Sequence, residues 1–126
     1  MAFDKIEKKP DYSEVSTHAL YMIPAGGGSA RVSGIYVVNA KLKLVEVILN
    51  DLTTSASLSV GNTYHVGSLD NYKPYADVRI DINRRDGGNA VGSLTIASGN
   101  GYFDVRPLVT IPSGVGLRAH ATYFYQ

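Results

Sequence analysis

Apolar and polar residues alternate with a period of two over most of this chain, and that period predicts strands. Val78, Ile80 and Ile82 fall on one side of a strand, with Asp77, Arg79, Asp81 and Asn83 on the other. The closing segment GLRAHATYFYQ sets Leu117, Ala119, Ala121, Tyr123 and Tyr125 against Arg118, His120, Thr122 and Phe124. ASLSV (56–60), NTYHVGSL (62–69), AVGSLTI (90–96) and YFDVRPLVTI (102–111) repeat the pattern. Earlier, EVSTHALYMI places Val15, Thr17, Ala19, Tyr21 and Ile23 opposite Ser16, His18, Leu20 and Met22.

The most apolar stretch, Ala30 to Leu49, begins with Leu42 and Leu44 alternating with Lys41 and Lys43 and becomes nearly continuous at LVEVIL. Its Val and Ile content favours a strand over a helix, covered on one face at first and on both later. Asn39-Ala40 marks a turn within it. Turn chemistry separates the other segments: RRDGGN is a loop, and the Asn-Gly pair in SGNG suits a hairpin needing positive φ. Eight or nine short strands, punctuated this way and without a helix, predict an all-β antiparallel β-sandwich or jelly roll of about eight strands.

Residues 1–30 are expected to form an N-terminal attachment arm, with an edge strand and a Gly-rich hinge at PAGGGSA, and 31–126 a β-sandwich head domain. Residues 1–13 are polar, mixed in charge and interrupted by Pro10. A long apolar edge without Pro or Lys to guard it, together with the two-faced strand near Val45, argues for an oligomer.

At 126 residues the chain is sized for one domain with a real core. Only 18% of its residues are charged, 12 basic against 11 acidic. That balance argues against phosphate-backbone binding, so no nucleic-acid partner is expected. There is no cysteine, hence no disulfide and no thiolate metal site. The first residues carry no apolar run of a signal peptide, and no segment approaches the ~20 apolar residues of a membrane helix. Synthesis in a bacterial cytoplasm without membrane insertion is the expectation.

Candidate chemistry is sparse. His18, His65 and His120 lie on three separate predicted strands with no i, i+2 or i, i+4 partner, so local spacing supplies no zinc chelate. Asp77, Asp81 and Asn83 share a face, but Arg79 between them would repel a calcium ion, and DGGN lacks evenly spaced oxygen ligands. No serine sits in a Gly-x-Ser-x-Gly elbow, and Ser57, Ser59 and Ser93 read as strand residues. No acidic pair of the glycosidase kind stands out. AGGGSARVSG lacks the Gly-Lys-Ser/Thr ending of a phosphate loop. No enzyme activity, cofactor or metal is expected.

Tyrosine is the residue in excess: nine, against three Phe and no Trp. Its flat apolar face and hydroxyl suit stacking on sugar rings and protein interfaces, although a single tyrosine on a sheet rim is more often half-buried packing. By residue type and expected exposure the candidate ligand-binding residues are Tyr72, Tyr75, Tyr102, Arg106 and His120.

The order of motifs in the second half is distinctive. Gly61 to Leu69 lead to Tyr72-Lys73-Pro74 and then a strand. Val91-Gly-Ser-Leu-Thr-Ile96 and Gly99-Asn-Gly101-Tyr-Phe-Asp-Val105 follow, and the chain closes on Thr122-Tyr-Phe-Tyr125. This order resembles the C-terminal head (receptor-binding) domains of tail and baseplate proteins from phages and prophages of Gram-positive bacteria. Those domains carry a Leu-Pro-x-Gly-Tyr-Arg-Pro corner, a Gly-x-Leu-x-Ile strand, a Gly turn and an aromatic-ended terminal strand. The likeness spans about Gly61 to Gln126. Asp70, Asn71 and Lys73 stand where the family has Pro, Gly and Arg.

The resemblance implies a homotrimeric β-sandwich or jelly roll in a virion, attached to other virion proteins through its N-terminal arm. It would bind cell-wall saccharide, teichoic acid or protein without catalysis. Pro74 is then expected to fix the chain's entry into the next strand, and Tyr72 to pack over the end of the sandwich. A capsid decoration or head-fibre protein with a purely structural role is the alternative. A stand-alone carbohydrate-binding module is a third, weakened by the missing Trp platform.

Overall fold

The computed structural model describes residues 15–22 and 30–126. The expected arm at 1–13 and the glycine hinge therefore lie outside the described residues. The described chain is all β, with eight strands: β1 (Val15–Met22), β2 (Ala30–Asn39), β3 (Leu44–Thr54), β4 (Tyr64–Ser68), β5 (Val78–Arg84), β6 (Ala90–Ile96), β7 (Tyr102–Pro107) and β8 (Leu117–Phe124). All pair antiparallel in one curled sheet of order β1-β2-β3-β8-β5-β6-β7-β4. β1 stands at one edge of the sheet, paired with β2 from Val15↔Asn39 to Met22↔Val32.

The sheet is joined unevenly at its middle. β8 follows β3 from Leu44↔Phe124 to Leu52↔Leu117, whereas β5 meets β8 only at Asn83↔Arg118 and Arg84↔Leu117. Beyond those two pairs the strands splay. The curl brings β4 back towards β1 and β2. Inside it lies one apolar core, with Val32, Val45, Val47, Leu49 and Leu52 from one half and Val66, Ile82, Leu94, Ile96, Phe103 and Val105 from the other, each at most 2% exposed.

The period-two reading places β5 and β8 correctly. Ile82, Leu117, Ala121 and Tyr123 are buried, and Arg118, His120, Thr122 and Phe124 are exposed. In β3 the alternation changes phase. Val45, Val47 and Leu49 point inward, then Leu52 and Thr54, because Asn50 has no partner between Ser33↔Asp51 and Gly34↔Leu49. A bulge inserts one residue and returns the next apolar side chains to the core. Gly34 is required at that point, since a Cβ there would collide with the Ile48 carbonyl oxygen. Ile48 itself lies on the outer face and is half-buried, so the continuous LVEVIL run is one core face plus an apolar outer face.

Three expectations are corrected. Leu42 is not a strand residue: residues 40–43 form a turn closed by the Leu42 N–H donating to Asn39 Oδ1 at 3.1 Å, and Leu42 is exposed. ASLSV is not a strand, so Ser57 and Ser59 are loop residues; it contributes only the isolated bridge Leu58↔Ile111. YFDVRPLVTI ends its strand at Pro107. In both loops the alternation follows from Leu58 and Ile111 pinning each other into the core.

The two halves of the sheet differ on their outer faces. In the β4-β7-β6-β5 half, the cross-strand rows read His65–Asp104–Thr95–Arg79 and Arg106–Ser93–Asp81, all polar. In the β1-β2-β3-β8 half they read Ala19–Ile35–Ile48–His120, Thr17–Val37–Glu46–Thr122 and Val15–Asn39–Leu44–Phe124.

Candidate functional site

The five sequence candidates do not converge; they fall in four places. Tyr72 belongs to the corner between β4 and β5. Its N–H donates to the Leu69 carbonyl at 3.0 Å, and its own carbonyl accepts from the Tyr123 hydroxyl at 2.8 Å. Its ring packs against Tyr36 (centroids 5.6 Å apart) and edge-on against Tyr125 (5.1 Å), and Tyr36 in turn stacks on His18. Burial, and then the neighbouring Tyr72, raise the Tyr36 hydroxyl above its ordinary pKa.

Pro74 is buried and bridges Tyr125. The C-terminal Gln126 completes the closure: its backbone N–H donates to Lys73 and its side-chain amide to the Pro74 and Ser98 carbonyls. The corner is therefore a clasp between the middle of the chain and its end. Tyr72 is used up in packing, whereas Tyr75, next in the loop, is 68% exposed.

Tyr102 and Arg106 share the outer face of β7. Phe103, Val105 and Pro107 take the inward positions, so Tyr102, Asp104 and Arg106 must face outward. The preceding turn sets the strand's start. Gly101 has φ +72° and lies so close to the Leu69 carbonyl that a Cβ would stand 2.6 Å from its oxygen; the Tyr102 N–H donates to Asn100 Oδ1 at 3.0 Å. β4 then brings His65 opposite Asp104. His65 Nδ1 lies 3.1 Å from Asp104 Oδ1, and its ring meets the Tyr102 ring at 4.2 Å between centroids.

The result is an aromatic surface. Tyr102 is 42% exposed, with one side of its ring against His65, which Asp104 holds by a hydrogen bond. Arg106 is exposed two same-face positions further along β7, opposite the buried Ser93, and Thr95 stands opposite Asp104. His65 and Asp104 were not among the sequence candidates. They are 39 residues apart, and only the β4–β7 register unites them; the one sequence signal was an outward-facing histidine in NTYHV.

His120 lies on the opposite half of the fold, on the outer face of β8, with Nε2 2.9 Å from Glu46 Oε2. It lines one wall of a groove of about 770 Å³ at the splay between β5 and β8. Ile48, Ile80 and Ala119 supply apolar lining, while Asn50, Asp81, Asn83, Arg85 and Arg118 supply polar groups. Arg85 is only loosely held by Asp51, at 3.8 Å.

Each histidine has a separate partner: Ser16 for His18, Asp104 for His65 and Glu46 for His120. Among the described residues no three His, Asp or Glu side chains converge as a metal-binding group would require. Asp77 is committed elsewhere, accepting from the Ser98 N–H at 2.8 Å and its hydroxyl at 3.0 Å. These bonds, the backbone one first, lower its pKa. The arrangement can stack, accept and donate hydrogen bonds and present positive charge. No model of a known family matches the sequence, and comparison with curated proteins finds no match.

Proposed function

We propose that this chain is an adhesion protein of a phage or prophage virion, of the receptor-binding or baseplate-accessory kind, that holds host cell-surface saccharide without catalysis. The observation that carries the reading is the Tyr102 ring set against His65 at 4.2 Å, with Asp104 next on the same face of β7 and Arg106 one same-face position beyond it, on an otherwise polar sheet face. A pyranose has an apolar face that stacks on such a ring, while its hydroxyls need donors and acceptors at the edge. Asp104, Arg106 and Thr95 are of that kind.

On this reading the curled sheet works as a two-layer sandwich or jelly-roll head, which the two-residue contact between β5 and β8 supports. The head assembles as a homotrimer, and residues 1–13 attach it to other virion proteins. Each shallow site binds weakly, and three sites raise avidity. A purely structural role as capsid decoration or head-fibre protein is the second reading. It is favoured by the apolar outer face of the other half, the sort of surface another protein covers.

Binding to purified Gram-positive cell walls tests the first reading. Tyr102→Ala should weaken binding about tenfold or more, while Tyr102→Phe keeps most of it, since stacking aromatics contribute on the order of 1 kcal/mol beyond their buried area. Unchanged binding by Tyr102→Ala would overturn it.

A further inference from the structure

We infer that the groove at the splay between β5 and β8 is a binding site for an anionic sugar, a saccharide unit that carries a carboxylate or a phosphate group. The groove lies apart from the Tyr102 surface, with β6 between β5 and β7, so adhesion at Tyr102 does not depend on it.

The groove follows from the register. β5 and β8 pair at Asn83↔Arg118 and Arg84↔Leu117, and the Arg85 N–H continues the contact by donating to the Gly116 carbonyl at 2.9 Å. On the other side of Asn83 the strands part, while β8 stays with β3. The gap reaches down to Leu49, Ile80 and Ala119, which belong to the core or pack against it. Its volume, about 770 Å³, is that of a small-molecule cleft, and an apolar floor under a few convergent polar groups is how such clefts are built.

The polar groups are sorted by charge. Side chains alternate across a strand, so Arg118 and Asn83 stand opposite each other on the outer face, and Arg85, two residues past Asn83, is the diagonal neighbour of Arg118. Gly116 leaves room for the second arginine, since a Cβ there would stand 2.8 Å from Arg85 Cδ. Two guanidiniums so placed repel each other until an anion lies between them, and the protein does little to neutralise them. Among the described residues Arg118 has no ion-pair partner. Arg85 has only Asp51 at 3.8 Å, and Asp51 already accepts from the Thr53 hydroxyl at 2.6 Å. Arg84, by contrast, is held by Asp86 through two bonds of 3.1 and 3.0 Å. The only carboxylate in the lining is Asp81, one same-face position beyond Asn83 on the side away from Arg85.

This polarity selects the ligand. The arginine forks take the carboxylate or phosphate, Asp81 and Asn50 meet hydroxyl groups, and Ile48, Ile80 and Ala119 cover a C–H face. A neutral sugar would leave the arginines unpaired, and an anion without hydroxyls would set like charge against Asp81.

Titration of the isotopically labelled full chain with glucuronate, glucose-6-phosphate and glucose, into the tens of millimolar at constant ionic strength, reads this out through amide and arginine side-chain shifts. At least one anionic sugar should give saturable shifts at Asn50, Asn83, Arg85 and Arg118, and the one that does identifies carboxylate or phosphate as the group recognised. Glucose should bind at least about tenfold more weakly, and Arg118→Gln should lose about tenfold in affinity for the anionic sugar, the scale of a charge-assisted hydrogen bond. Arg85→Gln should lose affinity likewise and is the independent variant should Arg118→Gln fold poorly. Tyr102→Ala should bind these sugars like the wild type. No saturable shift in the groove with either anionic sugar, glucose binding as tightly, or full affinity in the arginine variants would overturn the proposal. Cell-wall binding separates the two readings: an Arg118→Gln protein that loses the anionic sugar and still binds cell walls upholds the groove and leaves adhesion standing, and failure of Tyr102→Ala to lose cell-wall binding refutes adhesion alone.

Discussion

Replacing Tyr123 with Phe removes one oxygen and tests how the corner is held. Tyr123 is 6% exposed, and its hydroxyl donates at 2.8 Å to the Tyr72 carbonyl, 51 residues away. The ring stays, so core packing is kept, but the half-buried carbonyl loses that donor. An acceptor left in this way costs about 1–3 kcal/mol. With an unfolding entropy of about 2.1 cal/mol/K per residue, a chain of this length loses roughly 4 °C of melting temperature per kcal/mol, so a drop of about 4–12 °C is expected in a calorimetric scan at pH 8.

The pH dependence adds a second signature. Burial raises the Tyr123 pKa well above the ordinary tyrosine value. The folded chain then keeps its proton where the unfolded chain has lost it. Stability is intact below about pH 10 and is lost as pH rises from there towards the folded-state pKa. Tyr123→Phe has no such loss, so the gap between the two proteins should narrow above pH 10. Tyr75→Phe, in the exposed loop, should change neither value. A Tyr123→Phe protein that melts with the wild type at pH 8, or a gap constant from pH 8 to alkaline pH, would refute this account of the clasp.

Gly34→Ala should destabilise severely or prevent folding, because its Cβ meets backbone at the bulge that sets the phase of β3; expression and chemical denaturation report it. Asp77→Ala removes the acceptor for the Ser98 N–H and hydroxyl. The depressed carboxyl contributes stability above its ordinary pKa and loses it as pH falls through the folded value, so the variant should melt below the wild type at pH 6, and the gap should shrink as pH falls below the ordinary carboxylate range.

β5 and β8 were legible in the sequence because each keeps one phase from end to end. β3 was only half legible. Its extra residue, Asn50, is invisible without the partner strand, and the run LVEVIL looks the same whether its second face meets a core, a partner or solvent. ASLSV misled for a related reason: Leu58 is buried by one bridge to Ile111, and a single pinned residue within a loop imitates the start of a strand. For the site, residue type pointed to Tyr102 and Arg106, but Tyr72 carries the same chemistry and is consumed by packing. What distinguishes them is register. The β4–β7 pairing places His65 beneath Tyr102, whereas the clasp between Tyr123 and the corner takes Tyr72 away.

Titration of the isotopically labelled protein with oligosaccharides released from Gram-positive cell walls, followed by amide and side-chain chemical shifts, tests the adhesive site most directly. The account predicts shifts centred on His65, Tyr102, Asp104 and Arg106, absent in Tyr102→Ala. Shifts confined to the groove around Asn83, Arg118 and His120, or none at saturating ligand, would contradict it.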